Sequence, residues 1–236
     1  YEIKGFSGAG VTTPKPPSLY SSAKRKLYPY LNSRERHRNP FNLKPYQVDN
    51  LHLADDQASK IGAPLNTFVT VTWGATEYGD ITGKTFQACF KPLCQWLRDS
   101  DAPVAWIYVH ENPTTVAGDA KPNTHLLLHV PSRLTRTFNA KLDDWFRAIM
   151  DGAVKSDPRT CRGYKGLDRL QYMAKGADHW TARRYGGYRK PGGQGVITCK
   201  RSGVSQNLNW TARDSFNAQY AHAGGRTFPL TKGGKP

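Results

Sequence analysis

The hydrophobic pattern is regular in the middle of the chain and weak in the first fifty residues. Residues 67–73 are rich in β-branched and aromatic side chains, which predicts a strand. The segments 103–111 and 123–130 predict two further strands, and Pro131 ends the second of these. Between the first two strands, apolar residues recur at helical spacing and predict a helix over about residues 84–98.

Weaker patterns complete the predicted fold. A helix is predicted around residues 142–150, and a shorter one, beginning near Leu167, ends near Gly176. Residues 195–199 predict a strand, and a last helix follows Asn209. Strands and helices are interspersed, and the loop between the second and third strands is short enough for an antiparallel hairpin. The predicted class is therefore α+β, with a central, mainly antiparallel sheet of about five strands flanked by helices.

Charge adds to this picture because it is unevenly distributed. Lys and Arg number 34 against 18 Asp and Glu, which gives a net charge of +16. The first fifty residues hold nine basic and three acidic side chains, and residues 158–236 hold fifteen basic and three acidic ones. Such an excess attracts a polyanion and is unusual for a metabolic enzyme. The chain is predicted to comprise a basic N-terminal arm that orders when bound, a folded domain and a C-terminal tail, over residues 1–60, 61–215 and 216–236.

Composition and motif spacing exclude several other classes. No apolar run reaches the roughly 18 residues of a transmembrane helix, and four cysteines are too few for a disulfide scaffold. Gly79 and the Gly-Lys-Thr at 83–85 look like a phosphate-binding loop, but three residues separate the glycines where that loop needs four. Cys89 and Cys94 do not have zinc-ribbon spacing. These observations favour a cytoplasmic nucleic-acid-binding protein that does not contact a membrane.

Candidate metal ligands lie on and beside the predicted strand 123–130. Alternate residues of a strand share a face, so Asn123 and His125 point the same way at a separation of about 6.6 Å between α-carbons. His129 is about 13 Å from His125 and therefore too far to share one ion. Glu111 ends the preceding strand, across the hairpin loop. Carboxylate, amide and imidazole together suit Mg²⁺ or Mn²⁺, whereas a histidine hydrogen-bonded to a nearby glutamate is the structural alternative.

Tyr172 and Lys175 form a second candidate pair. Residues three apart on a helix lie on the same face. A tyrosine can attack phosphorus as a nucleophile, but its pKa is about 10, so ionising it at pH 7 costs roughly 4 kcal/mol. A neighbouring ammonium group or metal ion lowers that cost. Taken alone, the same spacing is also typical of a surface pair.

Four motifs occur in one order along the chain. They are Phe-Val-Thr-Val-Thr at 68–72, Glu-Asn at 111–112, Asn-Thr-His at 123–125 followed by an apolar run, and Tyr172 with Lys175. This order resembles that of the HUH endonucleases, in particular the single-tyrosine replication initiators (Rep family) of rolling-circle replicons. The chain has an asparagine where the family pattern has its first histidine, and a threonine follows it where the family has a more apolar residue.

The resemblance covers roughly residues 64–210, and a basic Gly/Ser segment at 199–208 is similar to one in bacterial members. It implies an RRM-like, split-βαβ HUH nuclease fold. It also implies a bacterial host and a single-stranded DNA origin, at a hairpin, that crosses the open face of the sheet. A polymerase and a helicase would come from the host or from another chain. No ATP is needed, because a phosphotyrosine bond conserves the energy of the cleaved strand.

The resemblance also implies roles for the candidate residues. Glu111, Asn123 and His125 would hold Mg²⁺ or Mn²⁺, which polarises the scissile phosphate. Tyr172 would attack and form a 5′-phosphotyrosine link with release of a 3′-OH. Lys175 would position a metal-bound water or the phosphate.

The C-terminal third of the chain predicts the DNA-binding surface. Basic and aromatic side chains alternate there, a mixture that suits single strands because cations follow phosphates while rings stack on bases. The predicted DNA-binding residues are Trp180, Arg183, Arg184, Tyr185, Tyr188, Arg189, Lys190, Lys200 and Arg201.

Other functions remain open from the sequence alone. A single-tyrosine transposase would use the same chemistry. A catalytically lapsed single-stranded nucleic-acid-binding protein would keep the fold and the charge. A ribosomal-type RNA-binding protein would explain the charge but not the order of the histidine and tyrosine motifs.

Overall fold

The computed structural model describes residues 42–73, 83–113, 122–147, 153–158, 168–185, 194–197 and 199–222. These residues form an α+β fold on one antiparallel sheet, which confirms the predicted class. The strands are β1 (Thr67–Thr72), β2 (Trp106–Glu111), β3 (Asn123–Leu128), β4 (Ala153–Pro158) and β5 (Ser202–Val204). The helices are α1 (Pro45–Lys60), α2 (Gly83–Asp99), α3 (Thr135–Arg147), α4 (Arg169–Met173), α5 (His179–Arg184) and α6 (Trp210–His222).

The strands lie side by side in the order β4-β1-β3-β2-β5, and each neighbouring pair is antiparallel. The register of β2 and β3 places Glu111 opposite Asn123. The register of β1 and β3 places Thr70 opposite His125. Alternate residues of a strand project to opposite faces, so this register brings all four residues to the same face.

Each face of the sheet has its own apolar core. On the first face, α2 and α3 pack over the sheet, with Phe90 and Phe138 among the buried residues. On the second face, α1 and α4 pack over Phe68 and neighbouring apolar strand residues, with Leu51 and Leu170 buried in this core. The sheet is therefore covered by helices on both sides over its central part.

Helix α1 corrects the predicted boundary at residue 60. Its apolar residues Val48, Leu51, Ala54 and Ala58 are all fully buried against the second face of the sheet. Residues 45–60 are consequently part of the folded unit that contains the sheet. The preceding part of the predicted arm, up to residue 41, lies outside the described residues.

Several other elements agree with the sequence, and others do not. Strands β1, β2 and β3 and helix α2 lie within three residues of their predicted limits. The strand predicted at 195–199 is wrong, because residues 194–197 form none and β5 lies at Ser202–Val204. The predicted tail from residue 216 is also wrong at its start, because α6 continues to His222.

No helix of the described segments is both long enough and apolar enough to span a lipid bilayer.

Candidate active site

Five side chains that the sequence singles out meet at one end of the second face. Glu111 ends β2 and Asn123 begins β3, directly across from it. His125 lies two residues further along β3, on the same face. Tyr172 lies in α4, and Lys175 lies in the 3₁₀ turn that follows this helix. All five line one pocket of about 280 Å³.

Lys175 connects the acidic and imidazole groups of the pocket. Its Nζ is 2.8 Å from Glu111 Oε2 and 3.4 Å from His125 Nε2, and these two atoms are themselves 3.4 Å apart. The other ring nitrogen, His125 Nδ1, is 3.2 Å from Thr70 Oγ1. The role of His125 Nε2 depends on the tautomer of the ring: with a proton it donates to Glu111 Oε2, and without one it accepts from the Lys175 ammonium.

Burial and contact together set the protonation states. Burial opposes ionisation of Glu111, but the contacts with His125 and Lys175 outweigh it and lower the pKa of this carboxyl group. Burial lowers the pKa of His125 by more than its contact with Glu111 raises it. At neutral pH the pocket therefore holds a carboxylate at Glu111 and a neutral imidazole at His125.

Tyr172 is held by contacts on its ring. Lys175 Nζ lies 3.7 Å from the ring centroid, a cation–π contact. The rings of His125 and Phe68 meet it edge-on, with centroid separations of 5.0 Å and 6.1 Å. The same cation that neutralises Glu111 is thus placed beside the candidate nucleophile, where positive charge favours an ionised phenol.

Gln194 is a site residue that sequence analysis missed. It is 2% exposed, and its Nε2 donates to Glu111 Oε1 at 2.7 Å. Its backbone carbonyl accepts from the N–H of Asn112 at 2.7 Å. Gly176 makes room for its side chain, since a Cβ there would lie 1.9 Å from the Gln194 amide carbon. Gln194 therefore links the end of β2 to the turn that holds Lys175.

Thr70 and Thr72 also line the pocket. The sequence contains a signal for them, because they alternate with apolar residues in β1 and so share the face of Phe68. No comparable pattern marks Gln194, since it lies outside any helix or strand and its place depends on the path of the chain beside β2.

The predicted DNA-binding residues differ in how the structure places them. Arg183, Arg184 and Lys200 are exposed. Arg184 Nη1 is 3.5 Å from Asp49 Oδ1, an ion pair on the surface. Trp180 lies within α5. The predicted residues outside the described part of the chain are Tyr188, Arg189 and Lys190.

Arg201 and Tyr185, two of the predicted DNA-binding residues, also make contacts within the fold. Arg201 is 6% exposed, and its guanidinium group donates to the carbonyl of Gly195 at 2.6 Å. The hydroxyl of Tyr185 donates to Asp49, and its ring stacks on His52 at a centroid separation of 3.9 Å. Their predicted contacts with DNA stay predictions.

The open sheet face expected for DNA is also corrected. Helices α1 and α4 cover the central part of the second face, where Ile107, Val109 and Leu127 are fully buried. Only the end of this face, around Thr72, Glu111 and Asn123, lines the pocket. Among the described residues, the pocket thus lies at the end of the sheet and not over its central part.

The donor set at this end suits a divalent cation. Mg²⁺ and its relatives hold ligands at about 2.0–2.2 Å, so neighbouring ligands are roughly 3 Å apart. Glu111 Oε2 and His125 Nε2, at 3.4 Å, are close to this spacing, and the Lys175 ammonium contacts both. The described residues contain no cluster of three or more His, Cys, Asp or Glu placed for a metal. The third predicted ligand is an amide, Asn123, and so does not belong to these residue types.

Similarity to a protein of known function would be independent evidence for the function of this chain. Comparisons of the chain with protein family models, curated proteins and solved structures find no match.

Proposed function

We propose that this chain is a metal-dependent enzyme that nicks and rejoins single-stranded DNA to initiate rolling-circle replication of a plasmid or phage. One observation carries the proposal: a tyrosine, a lysine, a carboxylate, an imidazole and an amide from separate elements line one pocket. These are the residues of the motifs that resemble those of the HUH endonucleases. A surface tyrosine–lysine pair would not have met the ends of β2 and β3.

The topology supports the same proposal. The elements β1, α2, β2, β3, α3 and β4 follow one another along the chain, and their strands take the order β4-β1-β3-β2. This order of elements and strands is similar to that of a split-βαβ unit and so supports the proposed RRM-like fold. Strand β5 then extends the sheet beside β2.

The proposed reaction is a transesterification at phosphorus. The oxygen of Tyr172 attacks the scissile phosphate and loses its proton, and a new phosphorus–oxygen bond forms. The bond to the 3′ oxygen breaks, and this oxygen leaves and takes up a proton as a free 3′-OH. The 5′ end stays on the tyrosine until a 3′-OH attacks it in reverse.

The side chains of the pocket have distinct parts in this reaction. Glu111, His125 and Asn123 would hold Mg²⁺ or Mn²⁺, which supplies Lewis-acid stabilisation of the phosphate charge. The neutral state of His125 leaves its Nε2 lone pair available to a cation. Lys175 supplies positive charge beside the Tyr172 ring, which lowers the cost of its ionisation.

The proposal is tested by a covalent-adduct assay with Tyr172→Phe. The wild-type protein, incubated with Mn²⁺ and the single-stranded origin of its replicon, is expected to yield an adduct that survives a denaturing gel. Tyr172→Phe is expected to abolish it, because the ring packing stays but the attacking oxygen is lost. Tyr46→Phe, in the exposed N-terminal turn of α1, is the matched control and is expected to retain the adduct.

The assay also separates the second candidate function. Two features favour a protein that binds single strands without cleaving them. Asn123 stands where the family pattern has a histidine, and Lys175 contacts both Glu111 and His125, which would bind the metal. Wild-type protein that binds the origin but forms no adduct would support this lapsed function. An adduct that persists in Tyr172→Phe would assign the nucleophile to another residue and contradict the proposal.

A further inference from the structure

We propose that the Lys175 ammonium and the divalent cation occupy the same position, so that each excludes the other from the pocket. This inference rests on the proposed function, because it concerns the metal site of that reaction. Lys175 contacts Glu111 in the metal-free protein and lies away from Glu111 when the metal is bound.

The first argument is the geometry around Lys175. Its Nζ is 2.8 Å from Glu111 Oε2 and 3.4 Å from His125 Nε2, the two atoms that would bind the metal. A divalent ion in contact with both atoms would lie at about 2.0–2.2 Å from each. On the side of Lys175, such an ion would overlap the ammonium as it now lies. On any other side the two cations would still lie within about 4 Å of each other, where like charges repel strongly, so each opposes the binding of the other.

The second argument is that Glu111 offers only one oxygen to the pocket. Its Oε1 accepts from Gln194 Nε2 at 2.7 Å, and Gln194 is buried and fixed by its backbone bond to Asn112. A carboxylate with both oxygens open could hold the ammonium on one and the metal on the other. Here Oε2 alone faces His125 and Lys175, so the two cations compete for a single oxygen.

The third argument is that Lys175 can move where Glu111 and His125 cannot. The side chains of Glu111 and His125 are 2% and 5% exposed and lie on strands, whereas that of Lys175 is 20% exposed. Its four-carbon stem carries a compact charge that can swing without a backbone change. On metal binding, the ammonium therefore leaves Glu111 by rotation of its own side chain. A released ammonium at this pocket is placed to contact the phosphate of a bound strand.

The first test is Mn²⁺ affinity, measured by calorimetry on the purified protein without DNA. Lys175→Met removes the ammonium but keeps most of the stem, so Mn²⁺ no longer has to displace a cation, and at least tenfold tighter binding is expected. Lys60→Met is the matched control, because this lysine is exposed at the end of α1 and does not line the pocket; its affinity should equal that of the wild type. Equal or weaker binding by Lys175→Met would overturn the exclusion.

The second test is a crystal structure of the wild-type protein grown with Mn²⁺, with the metal identified by its anomalous signal. The expected result is a peak between Glu111 and His125, with Lys175 Nζ out of contact with Glu111 Oε2. A peak there with the Lys175–Glu111 contact intact would overturn the exclusion and leave the metal site standing. If neither wild type nor Lys175→Met binds Mn²⁺, the metal site itself is wrong, and the exclusion falls with it.

Discussion

At the scale of single residues, the candidate site depends on how the two oxygens of Glu111 are used. A buried carboxylate is costly unless its oxygens are hydrogen-bonded or paired with a cation. Gln194 satisfies Oε1, and Lys175 contacts Oε2 beside the ring of His125. The carboxylate therefore remains charged in a buried pocket and presents one oxygen in a fixed direction.

Replacing Gln194 by Leu tests this arrangement. The substitution keeps similar bulk but removes the donor to Glu111 Oε1 and leaves a charged, buried acceptor unbonded. We expect the free energy of unfolding to fall by about 1–3 kcal/mol, the usual cost of an unsatisfied buried partner. Urea denaturation followed by circular dichroism measures this change, and the origin adduct should also form more slowly.

The control for this substitution is Gln95→Leu on α2. Gln95 is exposed, and its amide bonds to two neighbouring side chains of the same helix, Arg98 and Asp99. Its replacement should change the unfolding free energy by no more than about 0.5 kcal/mol. Similar small changes in both variants would show that Gln194 does not support Glu111.

Sequence reasoning identified Glu111, Asn123, His125, Tyr172 and Lys175 as one site, and the pocket brings them together. Strand alternation placed Asn123 and His125 on one face, and helical spacing paired Tyr172 with Lys175, but the resemblance to the HUH endonucleases was needed to join these pairs and Glu111 into one site. None of these signals identified the positions of Arg201 or Gln194. Basic charge predicted a DNA contact for Arg201, but its position at the end of a segment beside β2 buries it instead. Such placements depend on the path of the chain between elements.

At the scale of elements, α1 shows why a helix can be missed. Its apolar residues are few, and polar residues separate them along the sequence. Their spacing of three and four residues nevertheless produces one buried stripe, at Val48, Leu51, Ala54 and Ala58. By contrast, β1 and β3 were predicted because dense apolar and β-branched runs reveal a strand in a few residues. The pairing register was not predictable, since it is set by contacts between distant segments.

Leu51→Ala tests whether α1 belongs to the folded domain. Leu51 is fully buried in the core of the second face, so its truncation should lower the free energy of unfolding by about 2–5 kcal/mol. Leu53→Ala, on the same helix, is the matched control, because Leu53 is 46% exposed and its truncation should change stability by no more than about 0.5 kcal/mol. Equal effects in chemical denaturation would mean that α1 does not contribute to the core.

At the scale of the whole molecule, the sheet separates two sets of polar groups by strand alternation. Glu111 faces the candidate site, whereas the preceding residue, His110, faces the opposite core. His110 Nδ1 is 2.7 Å from Thr124 Oγ1, which also accepts from Trp73 Nε1 at 2.7 Å. The Thr124 hydroxyl thus links the His110 ring to the Trp73 indole within this core. One face therefore concentrates charge for chemistry, and the other excludes it.

The exclusion of charge around His110 predicts how stability depends on pH. Burial, aided by the positive charge of Arg201, lowers the pKa of His110 to about 3. In the unfolded chain a histidine has a pKa of about 6.5, so the unfolded state takes up the proton first as pH falls. The stability contributed by neutral His110 is therefore complete above about pH 6.5 and declines toward pH 3, by roughly 1.4 kcal/mol per pH unit.

His110→Gln isolates this effect, because the amide does not titrate. Unfolding free energies measured in urea between pH 7 and pH 4 should fall less steeply in the variant, by up to about 1.4 kcal/mol per pH unit. Glu111 and His125, whose pKa values are also lowered, add a loss of the same sign to both proteins, so the difference between the two slopes belongs to His110. Parallel slopes would mean that His110 takes up its proton in the folded protein as readily as in the unfolded chain. The apolar face would then tolerate a charge at its centre, and the separation of the two faces would not govern the acid stability of the protein.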